Sequence, residues 1–141
     1  MLDPLARNAA LASVVLLAVA CSGLPGASVD LAVSGEIHIA GSFTPGAPCD
    51  GATLAPSILA GDAIFVEATD VQGPVATGLI GKGVAESDVV CVMPFAIPGI
   101  PHGLEQYRIV VGMPGVGVNG MLEHLRESDL SRPLVVAVAP Q

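Results

Sequence analysis

Tryptophan is absent from this 141-residue chain, and aromatic residues make up 3% of it, one Tyr and three Phe. Sites that hold bases or sugar rings by stacking need flat aromatic platforms, so neither is expected. Positive charge is scarce. Five Lys and Arg stand against thirteen Asp and Glu, for a net charge of −8. Phosphate backbones are held by clustered Lys and Arg, which excludes a nucleic-acid partner. Anionic lipid head groups are disfavoured for the same reason. None of the three cysteines forms a C-x-x-C pair, so zinc-cluster and dithiol motifs find no support. No G-x-S-x-G elbow or P-loop occurs. No cofactor is implied. The apolar run at residues 9–20 is twelve long, short of the about 20 needed to span a bilayer.

What is present is small and apolar. Hydrophobic residues reach 52% and charged residues only 13%. That rules out a disordered chain and suits one compact β-domain of Ala, Val and Ile. The acidic excess reads as a solvated surface that keeps such a domain soluble.

The first residues read as an address. Residues 1–8 are polar with Arg7 as their cation, residues 9–20 are apolar, and Leu17-Ala18-Val19-Ala20-Cys21 closes the run. This layout is that of a signal peptide, and Leu17, Ala20 and Cys21 resemble a bacterial lipobox, departing from the usual Leu at Ala18. The expected organisation is a signal peptide over 1–20, a lipid-anchored tether over 21–34 and a domain over 35–141. Cys21 would carry the lipid. Cys49 and Cys91 then remain as an even pair, most simply a disulfide in an exported protein. Closing that loop is worth about 4 kcal/mol on the chain-entropy model.

Beyond the tether, apolar and polar residues alternate in short runs. Residues 35–43 form a first strand with Ile37, Ile39 and Phe43 inward and Glu36, His38 and Ser42 outward. Residues 44–61 form a long Pro- and Gly-rich loop with a helical turn at 54–59. A second strand, 62–69, joins a third, 75–80, through Asp70-Val71-Gln72-Gly73, a type I turn signature. Residues 88–97 form a very apolar, central fourth strand. Pro94 cannot donate to a ladder, which calls for an edge position or a bulge there. Residues 105–112 form a fifth strand with Tyr107, Ile109 and Val111 on one face. A short strand at 115–120 precedes a helix at 121–128, read from Met121, Leu122 and Leu125. Residues 133–139 close the fold. Six or seven strands with one short C-terminal helix and one disulfide make a single small all-β sandwich, transthyretin-like or immunoglobulin-like.

Several stretches carry a family resemblance: Gly41-Ser42-Phe43, Cys49 with Gly51, Gly61-Asp62-Ala63-Ile64-Phe65-Val66, Thr77-Gly78-Leu79-Ile80-Gly81, Cys91-Val92-Met93-Pro94-Phe95, Ile100-Pro101 and Tyr107-Arg108-Ile109-Val110-Val111-Gly112. Together they resemble a family of small exported proteins of high-GC Gram-positive bacteria. The strand, Asp-x-x-Gly, strand and later Tyr-x-Ile-x-Val grammar is also similar to transthyretin-like and carboxypeptidase-regulatory-like sandwiches. The resemblance implies a β-sandwich, a disulfide and an envelope location, and brings no catalytic residues.

His38, His102 and His124 lie far apart and read as three surface histidines. His102 with Glu105 and His124 with Glu127 share an i,i+3 spacing, but two ligands do not make a zinc site. Met93, Met113 and Met121 lack the Cys–His–Met run of blue copper and read as core. The expectation is a non-enzymatic lipoprotein of the cell envelope, held at the outer face of the membrane by lipid on Cys21, that binds an envelope protein or small ligand. One alternative is a carrier of an apolar ligand between the sheets. The other is a small envelope hydrolase built on paired carboxylates.

Overall fold

A computed structural model describes residues 30–49, 58–113 and 117–139, without the side chains of Met113 and residues 117–119. The expected signal peptide, Cys21, the tether up to residue 29 and most of the helical turn at 54–59 lie outside the described residues.

The chain is all-β. Its strands are β1 (Leu31–Ala40), β2 (Pro48–Cys49), β3 (Ala63–Ala68), β4 (Pro74–Ile80), β5 (Gly83–Ala85), β6 (Val90–Ile100), β7 (Tyr107–Met113), β8 (Gly117–Leu125) and β9 (Leu134–Val138). A 3-10 helix, Glu127–Ser131, precedes β9, and no α-helix occurs among the described residues. All nine strands belong to one hydrogen-bonded sheet in the order β2-β5-β6-β4-β3-β7-β8, with β1 joining β6 and β9 joining β1. The β1–β9 pair is parallel and every other pair antiparallel. The sheet curls until β8 nears β9. A Cβ on Gly120 would stand 2.8 Å from Val138 Cγ2 and 3.1 Å from the Ala137 carbonyl, although no ladder joins these two strands among the described residues.

Alternation along each strand fills the space so enclosed. Val33, Ile37 and Ile39 of β1 face in, as do Ile64 and Val66 of β3 and Met93 and Ile97 of β6. Tyr107, Ile109 and Val111 of β7 and Val136 and Val138 of β9 complete one core. With one buried aromatic ring beyond Phe95, close packing rests on branched aliphatics. The aliphatic-rich composition is what permits this.

Two expectations need correction, and a third shifts. First, residues 121–125 continue β8 rather than starting a helix; helical turns begin only at Glu127 and are of the 3-10 kind. The cause is a bulge. Ile109 pairs with Leu122 while Tyr107 pairs with Leu125, so β8 spends three residues where β7 spends two. His124, at φ 57°, is the extra residue in the left-handed region. Leu122 and Leu125 both pack on the core. The bulge turns their period of two into three, which imitates a helix. Second, Pro94 lies in the most central strand, not at an edge. β6 pairs with β1 along one side, and on the other with β5 at Val92 and β4 at Phe95. Pro94 sits where the neighbour changes. Its carbonyl accepts the Gly81 N–H at 2.7 Å, and the missing donor faces the link between β4 and β5, where no ladder partner waits. Third, β1 begins at Leu31, four residues before the expected domain edge, so residues 31–34 belong to the sheet.

Candidate functional site

The chemistry-bearing residues fall into three places. The first is the disulfide end. Cys49 on β2 and Cys91 on β6 are joined, with Cys91 fully buried. The bridge passes over β5, and Gly83 makes room for it. A Cβ there would lie 3.0 Å from Cys91 Sγ and 2.8 Å from Met93 Cγ, and would collide with the Cys49 carbonyl. Beside it an open cleft of about 340 Å³ is lined by Pro48, Cys49, Ala60, Lys82 and Gly83. The segment leading to β2 is fastened by its backbone, Gly41 N–H to Val89, Phe43 to Asp88, and Gly46 to Ala85. Phe43 packs on the core as expected from its alternation, though it lies past the end of β1.

The second place is the junction between the β6–β7 loop and the 3-10 helix. The Glu127 carboxylate takes the Gly103 N–H on Oε2 at 3.0 Å and approaches His102 Nδ1 through Oε1 at 2.7 Å. The Gly103 N–H is the largest influence holding the Glu127 carboxyl below its ordinary range, followed by the hydrogen bond with His102; desolvation opposes them. The same loop is pinned from inside. The fully buried Tyr107 donates its hydroxyl to the Pro101 carbonyl at 2.8 Å and accepts the Leu104 N–H at 3.3 Å. A tyrosine reaching back to backbone a few residues upstream is a corner device of β-sandwich domains.

The third place is the outer surface of the sheet. Glu67 on β3 and Arg108 on β7 are directly paired in register and bonded at 2.6 Å. Glu67 is the buried charged residue of the described chain, and Arg108 covers it from the solvent side. On β1, His38 Nε2 lies 3.0 Å from Glu36 Oε2. A shallow cleft of about 390 Å³ opens beside Glu36 between Pro94 and Val135.

The structure separates the three histidines. His38 pairs with Glu36, His102 with Glu127, and His124 Nδ1 lies 3.2 Å from Gln106 Oε1. Glu127 serves His102 rather than the His124 three residues before it, because the bulge and the turn after β8 carry it to the other loop. No group of three His, Cys, Asp or Glu able to hold a metal occurs among the described residues. Of the predicted site residues, Cys49 and Cys91 are brought together, and Cys21 lies outside the described residues. Sequence reasoning missed the Glu67–Arg108 pair and the Glu127 clasp. Both depend on strand register and loop return across the fold, which no local spacing encodes. No family model, characterised protein or solved structure matches the chain.

Proposed function

We propose that this chain is an exported lipoprotein of the cell envelope, held at the outer face of the membrane by lipid on Cys21, and that it works as a non-catalytic binding or protein-interaction module. In this reading it belongs with the small exported proteins it resembles, in a transthyretin-like sandwich. The observation that carries it is the partition of the cysteines. Cys49 and Cys91 are joined to each other, which suits an oxidising compartment and leaves Cys21 alone at the end of a short apolar run. Nine residues separate Cys21 from Leu31, a reach of at most roughly 35 Å. The domain would therefore sit close to the membrane. The interior is filled by its own side chains, with Ile37, Ile97 and Tyr107 fully buried, which favours binding at the surface over carrying a ligand inside.

The test is the intact mass of the full chain extracted from its own membrane in mild detergent, with the Cys21→Ala variant alongside. A mass of the chain from Cys21 plus acyl groups, less two hydrogens, is expected, and the variant should leave the membrane fraction. An unacylated mass from the membrane-extracted protein would overturn the anchor. A further dissociable mass would replace the protein-interaction role with a ligand carrier.

A further inference from the structure

The outer surface of β5, β6, β1 and β9 is exposed, apolar and almost uncharged. Paired residues share a face, so the register lays them out in rows. One row runs Val84, Val92, His38, Ala137, and the next runs Pro94, Glu36, Val135. Leu79, opposite Ala96, begins a third. Val84 is 52% exposed, Val135 50% and Leu79 63%. In a chain of net charge −8, these four strands carry one acid and one histidine, bonded to each other at the centre of the patch, while the exposed Lys82 and Glu86 flank Val84 at its rim.

We infer that a second copy of this chain covers this face, in a two-fold dimer with β1 lying antiparallel across β1. The arrangement of Glu36 and His38 selects both partner and axis. Among the two-fold axes that can lie between two such faces, those along β1 and across it are the limiting cases. An axis along β1 sets Glu36 over Glu36, and like charges in contact are costly. An axis across β1 at Ile37 sets Glu36 over His38 in two equivalent places, as an isologous contact requires. The same axis sets the projecting Val135 over the small Ala137, and Val92 over Pro94. The rows carried by β6, β1 and β9 are thus complementary to themselves in charge and shape.

Size sets the strength. Four strands at about 4.8 Å spacing and three rows at about 6.8 Å make a patch on the order of 400 Å² in plan. A standard interface buries about 800 Å² on each partner. The dimer is therefore weak in free solution. Confinement of both copies to one surface raises their effective concentration and the dimer population. The inference deepens the interaction reading and rests on it for the choice of a protein partner; it does not rest on the lipid anchor.

Sedimentation velocity of the full chain in density-matched mild detergent, from about 10 to 500 μM, tests it. The wild type is expected to pass from monomer toward dimer with concentration. Glu36→Lys and Val135→Asp should each weaken the dimer at least about tenfold. The exchanged pair, Glu36→His with His38→Glu, should restore it, because the swap is compensated only when the partner is the same chain. Val71→Asp, an exposed position on the turn after β3, should leave it unchanged. Melting of each variant checks that it is folded. A wild type that stays monomeric throughout, or a folded exchanged pair that fails to recover, overturns the inference. If the monomeric wild type crosslinks to an unlike envelope protein, the second copy is excluded while the interaction module stands.

Discussion

A methyl group on Gly83 would meet the disulfide from one side and Met93 from the other. Neither can yield cheaply, since one is a covalent bridge and the other is fully buried. Gly83→Ala is therefore expected to destabilise the fold by about 1–3 kcal/mol, the usual range for overpacking, read as a fall in the urea midpoint at unchanged slope. Tyr107→Phe keeps the ring and removes the hydroxyl. The Leu104 N–H and the Pro101 carbonyl lose a partner at once, and a cost of about 1–2 kcal/mol is expected in the same measurement. Glu127 makes a prediction about pH. Its carboxyl is held below the ordinary range, chiefly by the Gly103 N–H. A depressed folded value means that its stabilising contribution is fully present above the carboxylate's unfolded value. That contribution fades as pH falls through the lowered folded one. The Gly103 amide resonance should shift with that titration in the wild type and stay flat in Glu127→Gln. A wild-type amide indifferent to acid would show that the clasp does not form.

At the scale of elements, β8 shows what pattern reading can and cannot reach. Period-two alternation placed β3, β4, β7 and β9 within a residue or two, because each is a plain run bounded by turn residues. It misread 121–125 because a bulge at His124 spaces Leu122 and Leu125 as a helix would. Nothing local distinguishes the two; the pairing with β7 decides. A left-handed conformation costs a residue with a side chain roughly 1–2 kcal/mol and glycine almost none. His124→Gly is thus expected to raise stability by up to about 1 kcal/mol, whereas His124→Val should lower it, both read by thermal melting. Were residue 124 helical, glycine would be the destabilising change. β6 teaches a related point. Its proline pointed to an edge or a bulge, yet a central strand, as its apolar run implied, can hold proline where one neighbour ends and the next begins.

For the whole molecule, the disulfide was the most legible long-range feature, since the lipobox reading of Cys21 leaves Cys49 and Cys91 one way to pair. The Glu67–Arg108 pair and the Glu127 clasp were illegible because they join residues that only strand register and the return of a distant loop bring together. Cys91→Ala should cost roughly 2–5 kcal/mol, and the wild type should melt lower in reductant. Equal melting with and without reductant would mean that the bridge contributes nothing. The parallel strand pair has a consequence in time. Gly35 near the start of the sheet is registered with Leu134 near its end, and among the described residues the ladder partners of β1 are β6 and β9. Contacts so distant along the chain form slowly, because a large loop must close before they stabilise anything. While the polypeptide is still emerging from the ribosome, Ile37 and Ile39 have no finished wall to lie against. The domain cannot complete itself until β9 has been made, and a chain that stays open that long can still be threaded through a narrow channel.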